Sequence, residues 1–304
     1  YLRYSLSFSL LAVTVRKLAM SNNGSLMRAE IAQIPSIFQK IADNAAATTA
    51  QIQKLPLDSF DSVILLARGT SDNAALYLKY LIETKIGIPC GLASPSVVTV
   101  YQSKLKFKNC LVIALSQSGQ SPDLINYAQA AKIGGAKVLA LTNDLNSPLA
   151  KSADLHLYLE AGEEKAVAAT KSYSAELLLS LLIVSAWAKS EIDFVALVRE
   201  SNAAVRNIEA VSKIVDSFDH SFGITTLGRG FAYANAHETA LKIQETLKIP
   251  VSSFSSADYL HGPISSLHEN SRIIFLAPAG VATAGMAATV TRIREITPHI
   301  YWIG

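Results

Sequence analysis

The sequence predicts an α/β protein with parallel sheets, arranged as two copies of one pattern, and three observations carry that prediction. Short apolar runs alternate with helical segments along the body of the chain, as parallel strands with crossover helices require. Several of these runs end in turns rich in glycine, serine and threonine that open straight into helices. A similar order of elements returns after about 160 residues, which implies two fused domains of one fold.

Taken from the start, residues 1–26 read as an extension outside the fold and 27–60 as a helical lead-in. The run 6–15 (LSFSLLAVTV) is apolar, with Arg3 before it and Arg16 and Lys17 after it. It is shorter than the about 20 apolar residues that cross a bilayer, and the trailing basic residues do not suit a secretory leader. Met20 therefore reads as the natural start, with residues 1–19 an added or upstream segment. The first α/β unit occupies 61–191. In it Ser62–Ala67 (SVILLA) is a strand running into Arg68-Gly69-Thr70-Ser71, with a helix from Asp72 to Thr84. Leu111–Leu115 (LVIAL) is a strand running into Ser116-Gln117-Ser118-Gly119, with a helix over 122–133, and Lys137–Leu141 (KVLAL) is a third strand. The stretch 177–188 (LLLSLLIVSAWA) is too short for a membrane span and reads as a buried core helix.

A helix over 192–216, polar on one face, joins the copies within a linker set at 192–219. The second unit, 220–304, begins with Phe222–Leu227 (FGITTL) running into Gly228-Arg229-Gly230 and a helix over 232–247. Arg272–Leu276 (RIIFL) follows, then Ala277-Pro278-Ala279-Gly280, a helix over roughly 283–296 and a strand at His299–Ile303. Nothing in the sequence matches the continuation of the first copy through 144–190, so the second copy reads as truncated.

Composition narrows the function. Of 304 residues, 50% are hydrophobic and 17% charged, which excludes intrinsic disorder. A formal charge of +3, dispersed along the chain, does not indicate a nucleic-acid partner. Cys90 and Cys110 lack metal spacing and suit a reducing, cytoplasmic compartment. The six histidines form no HxxxH or HExxH pattern, so no metal site is indicated. GxGxxG after the first strand and GxxxxGK[ST] are both missing, which disfavours dinucleotides and nucleoside triphosphates.

Ligands of open parallel sheets bind at the carboxyl ends of the strands, beside helix N-termini. The turns Gly69-Thr70-Ser71 and Ser116-Gln117-Ser118-Gly119-Gln120-Ser121 supply hydroxyls, close-approach glycines and helix N–H groups there. One such turn alone would more often be a helix cap; two at successive strand ends favour an anion site, a phosphate cradle that needs no lysine. Glu238, Lys242 and Glu245 are spaced i, i+4, i+7 and share one helical face. An ordinary solvated ion pair would give the same spacing, but this face follows a strand-end turn, where a carboxylate could act as a general base. His261, held before Gly262-Pro263, is a third candidate, although a lone histidine is more often structural.

Gly69-Thr70-Ser71, Ser116–Gly119, Val167–Lys171 (VAATK), Gly228-Arg229-Gly230, Glu238–Glu245 and His261-Gly262-Pro263 occur together in this order. In that combination the chain, from about residue 27 onward, resembles the tandem sugar-isomerase (SIS) domain proteins, notably the isomerase half of glucosamine–fructose-6-phosphate aminotransferase. The variants at 67–72 (ARGTSD), 116–123 (SQSGQSPD) and 168–173 (AATKSY) look more like the stand-alone glucosamine-6-phosphate deaminases. The resemblance implies two SIS domains, each a parallel-sheet three-layer αβα (flavodoxin-like) sandwich, the second truncated. It implies that Thr70, Ser71, Ser116, Gln117, Ser118 and Ser121 line the sugar-phosphate site and that Val167 and Ala168 line the sugar through their backbone. Glu245 would move a proton between C2 and C1, Lys242 would be its electrostatic partner, and Glu238 is a weaker candidate on the same helix. His261 would assist ring opening from the neighbouring subunit of a homodimer. The family's closing tail, with its lysine, lies beyond the last residue of this sequence.

The implied activity is conversion of glucosamine 6-phosphate and water to fructose 6-phosphate and ammonia, without cofactor, metal, nucleic acid or membrane. The alternatives are the isomerase part of a glutamine-dependent aminotransferase, a deaminase for galactosamine 6-phosphate or fructosamine 6-phosphate, and a non-catalytic sugar-phosphate sensor.

Overall fold

Apolar strands that need cover on both faces organise the first half of the chain. The computed structural model describes residues 24–207, 218–219 and 222–304. The apolar run 6–15, the expected start at Met20 and residues 208–216 of the expected joining helix lie outside the described residues. Helices α1 (Ser25–Ile31), α2 (Ile34–Asp43) and α3 (Ala45–Ile52) form the lead-in. Helix α1 opens at Ser25, inside the stretch expected to lie outside the fold.

Strands β1 (Ser62–Leu66), β2 (Cys90–Leu92), β3 (Cys110–Ser116), β4 (Lys137–Thr142) and β5 (Leu155–Tyr158) form a wholly parallel sheet in the order β2-β1-β3-β4-β5. Every residue of β3 is buried, which explains why its sequence is a continuous apolar run. Alternate side chains enter two cores. Leu65, Ile113 and Leu141 face α4 (Thr70–Lys85) and α6 (Lys171–Ala188); Val112, Ala114 and Ala140 face α5 (Pro122–Ile133). Helix α6 is buried along most of its length and packs on α2, α3 and α4, so the apolar stretch 177–188 is the core helix the sequence predicts.

A second parallel sheet holds β6 (Ile224–Gly228), β7 (Val251–Ser255), β8 (Arg272–Leu276) and β9 (Ile300–Ile303) in the order β7-β6-β8-β9. That is the order of the first four strands of the first sheet. Gly69 has φ 60° and ψ −133°, and Gly230, at the corresponding turn, has φ 60° and ψ −132°. Each takes the chain from strand to helix through a left-handed turn that a side chain would strain.

Several boundaries differ from expectation for local reasons. Helix α4 starts two residues before Asp72, because the turn is completed at Gly69. Strand β6 runs Ile224–Gly228 rather than 222–227. The expected helix over 283–296 is two pieces, Val281–Ala284 and α9 (Ala287–Arg294), separated at Gly285. Helix α7 (Phe194–Arg206), capped by Asp193 on the N–H of Ala196 at 2.8 Å, forms within the expected joining helix and packs on α2. Strands β2, β5 and β7 were not expected. They are short, carry Gly91, His156 or three serines, and sit at or beside sheet edges where full apolar character is not demanded.

The halves meet where α8 (Phe231–Leu247) packs on α4. Phe231 lies against Tyr77 and Tyr80, with ring centroids 5.8 and 6.2 Å apart. Among the described residues no helix is long and apolar enough to cross a membrane. Ile113, fully buried at the centre of the first sheet, provides a direct check of this core. Ile113→Ala is expected to lower the unfolding free energy by about 2–5 kcal/mol in urea titrations.

Candidate active site between the two halves

Strands β1 and β3 are neighbours, yet the chain leaves β1 for β2 on one side and β3 for β4 on the other. This is the topological switch point of the sheet, and ligands of open α/β sheets bind at the carboxyl ends of the strands at such a point. The two hydroxyl-rich turns predicted from the sequence both lie there.

The turn after β3 is held from within. Gly119 N donates to Ser116 Oγ at 3.1 Å, and Gln120 N to Ser118 Oγ at 3.3 Å. From the loop after β4, Asn143 N donates to Gln117 O at 2.9 Å and Leu149 N to Gly119 O at 3.3 Å. Gly119 has φ +61°, and a Cβ there would lie 2.4 Å from Ser147 Oγ. Ser118 is exposed, Gln117 and Ser121 are half-buried, and Ser121 leads into α5 without a side-chain cap. Donors at a helix start, with glycine permitting close approach, can hold an anion. Arg68 reaches across to Asp123 at 3.3 Å, but both side chains are about half exposed and the pair adds little stability.

The packing of α8 on α4 brings the second group of residues to the first. Thr70 Oγ1 donates to Glu238 Oε1 at 3.1 Å and Asn73 Nδ2 to Glu238 Oε2 at 2.8 Å. Lys242 Nζ lies 3.2 Å from Glu238 Oε1, donates to Thr70 Oγ1 at 3.0 Å and to Glu245 Oε2 at 2.6 Å. Thr70, Glu238, Lys242 and Glu245 thus form one cluster across the two halves. Burial pushes the Glu238 carboxyl up, opposed by Asn73, Lys242 and Thr70. The side chain of Glu245 is 30% exposed and that of Glu238 only 7%, so Glu245 is the more accessible carboxylate of the cluster.

Ser71 departs from the simple picture of a free phosphate ligand. Its Oγ is buried and lies 2.7 Å from Oε1 of Glu176, a fully buried residue of α6. Burial pushes Glu176 up to about 8, the Ser71 bond opposes this, and the negative charges of Glu238 and Glu164 add to it. Sequence reading missed Glu176, Asn73 and the bond from Tyr173 OH to Asn235 Oδ1 at 2.8 Å. The one available signal was a glutamate set immediately before the apolar run of α6.

The segment before α6 carries Val167, 95% exposed, and Ala168, buried. Glu30 of α1 accepts from the N–H groups of Lys165 and Ala166, at 2.5 and 3.3 Å. Lys171, buried, donates to Gln33 Oε1 at 2.9 Å and to Glu163 O at 2.5 Å. Glu164 accepts from Thr170 N at 2.9 Å and from the Ser172 hydroxyl, closing the start of α6. His261 is exposed, and among the described residues no hydrogen bond or ion pair joins its ring to the cluster. Its backbone N–H donates to Asp258 O at 2.9 Å. Cys90 and Cys110 are buried and free, and burial raises the Cys90 thiol to about 12.

Fold and topology define a doubly wound α/β protein in which a hydroxyl-rich switch point meets a carboxylate–lysine cluster carried by a second sheet unit. Comparison with known proteins gives the family. Residues 57–186 match the SIS domain. A crystal structure of a candidate phosphosugar isomerase from Silicibacter pomeroyi DSS-3 is 32% identical, covers 91% of this chain and 85% of its own, and superposes with a TM-score of 0.76. The C-terminal domain of glucosamine-fructose-6-phosphate aminotransferase from Francisella tularensis shares the fold, at 21% identity, a TM-score of 0.77 and coverage of 91% and 88%. Glutamine–fructose-6-phosphate aminotransferase [isomerizing] of Clostridium acetobutylicum is 31% identical over 258 residues, which are 81% of this chain and 42% of that protein. The chain belongs to the SIS-domain family and is homologous to the isomerase part of these aminotransferases. It spans about two fifths of the length of the curated relatives it matches.

Two outcomes check the geometry. Gly119→Ala combines a positive φ with a collision at Ser147 and is expected to cost about 1–3 kcal/mol in urea titrations. Glu176 holds its proton more tightly folded, at about 8, than at its ordinary 4.5. The folded state then binds more protons than the unfolded chain between those values, so stability falls as pH rises through that window, by at most about 1.4 kcal/mol per pH unit. Glu176→Gln should flatten this part of the stability–pH curve.

Proposed function

We propose that the chain is an amino-sugar-phosphate isomerase of the deaminating kind, converting glucosamine 6-phosphate and water to fructose 6-phosphate and ammonia. The observation that carries it is the Thr70–Glu238–Lys242–Glu245 cluster set beside a hydroxyl-rich turn at one switch point. In this reading the phosphate sits on Ser71 and the 116–121 turn, Gln117 and Ser121 included, and the backbone at Val167 and Ala168 lines the sugar. Glu245 takes the C2 proton of the open aldehyde and returns it at C1. The enolamine becomes a ketimine at C2, and water adds and expels ammonia to leave the ketose. Lys242, within 2.6 Å of Glu245, positions that carboxylate as a base. The route consists of proton transfers and a hydrolysis, so it calls on no cofactor.

The second sheet, with the strand order of the first and the matching Gly230 turn, supports reading 220–304 as a second SIS-type domain after the one at 61–191. Exposed His261 suits a role in the crevice of a neighbouring copy, in a cytoplasmic homodimer. The deaminase reading over the aminotransferase one rests on the motif variants at 67–72, 116–123 and 168–173.

The full chain is to be offered glucosamine 6-phosphate, galactosamine 6-phosphate and fructosamine 6-phosphate without glutamine, with ammonia followed. Release from glucosamine 6-phosphate is expected, and binding with neither ammonia nor isomer formed would make the protein a sensor instead. Glu245→Gln should lower kcat by about 10²–10⁴-fold. Near-full turnover in that variant would move the base to another residue.

A further inference from the structure

Glu176 is a buried carboxyl beside Ser71 that the proposed chemistry leaves without a task. It is 1% exposed, its Oε1 lies 2.7 Å from Ser71 Oγ, and among the described residues its Oε2 has no hydrogen-bond partner. A buried ionised carboxylate needs several donors, and here a single hydroxyl is available.

Among the described residues no cation is paired to Glu176; Lys171 of the same helix is bonded to Gln33 and Glu163 O instead. Helix α4 faces Glu176 with the Ser71 hydroxyl, α8 with Glu238, which is itself paired to Lys242, and the segment before α6 with Glu164. Its own helix contributes Tyr173, and α2 and α3 meet α6 through Ile37, Ile41 and Ile52. The charged groups acting on Glu176 are therefore both negative. Burial and these charges hold it protonated through neutral pH.

A proton on Glu176 changes what Ser71 can do. A serine hydroxyl has one hydrogen to give and two lone pairs to receive with. An ionised Glu176 would take that one hydrogen, and Ser71 would present only lone pairs to an incoming anion. A neutral Glu176 can donate from Oε1 to Ser71 Oγ, which frees the serine hydrogen and leaves Oε2 as an unpartnered acceptor.

We propose that Glu176 is a positioning residue for the phosphate of the substrate: its carboxyl donates to Ser71 Oγ, so that the Ser71 hydroxyl serves as a donor to the anion. The inference rests on the reading above that Ser71 belongs to the phosphate site. Phosphate binding is accordingly tied to one proton inside the protein, and it weakens once that proton is lost. A glutamine at this position donates through its amide and cannot ionise, so it should keep the function and lose the pH dependence.

The test is binding of fructose 6-phosphate to the full chain by calorimetry between pH 6.5 and 9.5. If only the protonated form binds and ionisation occurs near 8, Kd should rise about tenfold between pH 7 and pH 9. In Glu176→Gln the pH 7 affinity should be retained within about threefold and the rise should disappear. Glu176→Leu, which removes the donor without adding charge, should weaken binding at every pH. Should that variant not fold, the glutamine comparison alone decides. A Glu176→Gln profile that keeps the rise of the unmodified protein would overturn the proposal. Ser71→Ala separates it from the reading beneath: unchanged affinity there would remove Ser71 from the phosphate site. Weakened affinity with an unaltered Glu176→Gln profile would reject the positioning role alone.

Discussion

The site depends on a carboxylate removed from water between two helices of different halves. Glu238 projects from α8 into the face of α4, where Asn73, Thr70 and Lys242 together satisfy both of its oxygens. Without those partners a buried charge would cost several kcal/mol, and removal of one would leave the others exposed to that penalty. The contact therefore does more than join two sheets. It fixes the rotation of α8 about its axis, and the same rotation sets the more exposed Glu245 about two helical turns further along the same face. Phe231 against Tyr77 and Tyr80 anchors the start of the same helix.

The proposed anion cradle is economical in charge. A net charge of +3 on 304 residues gives no strong long-range field, and Lys242 is committed to two carboxylates. What remains is local: a helix N-terminus, a ring of hydroxyls and backbone N–H groups, held in place by bonds from the loop after β4. Such a site works by directed donors at short range. Its specificity should depend on the shape of the turn, which is why Gly119, packed against Ser147, matters more than any surface charge nearby.

Much of this was legible in the sequence. The strands β1, β3, β4 and β8 are largely apolar runs because both faces are covered, and the sequence pattern reports that condition directly. The i, i+4, i+7 spacing put Glu238, Lys242 and Glu245 on one face before any coordinates. The partner of that face was not legible, because Asn73 and Thr70 lie more than 160 residues away in the chain and meet it only through tertiary packing. The short strands β2, β5 and β7 were missed for a related reason: a backbone ladder holds them while their side chains carry little apolar signal. Ser71 was read as a free ligand, since no spacing rule connects it to Glu176 on a helix about one hundred residues later.

Three carboxylates surround the start of α6, and their unequal company decides where a proton resides. Glu164 accepts from two backbone N–H groups and the Ser172 hydroxyl at the start of α6. Glu238 has an amide, a hydroxyl and an ammonium. Glu176, the deepest of the three, has a single hydroxyl. Like charges this close disfavour full ionisation of the set, and the group with the fewest donors yields first. The proton thus settles on the residue that touches Ser71, not on one that faces the proposed base. The acid–base chemistry on α8 and the protonation that shapes the anion cradle can then be tuned separately, although both draw on the same buried wall.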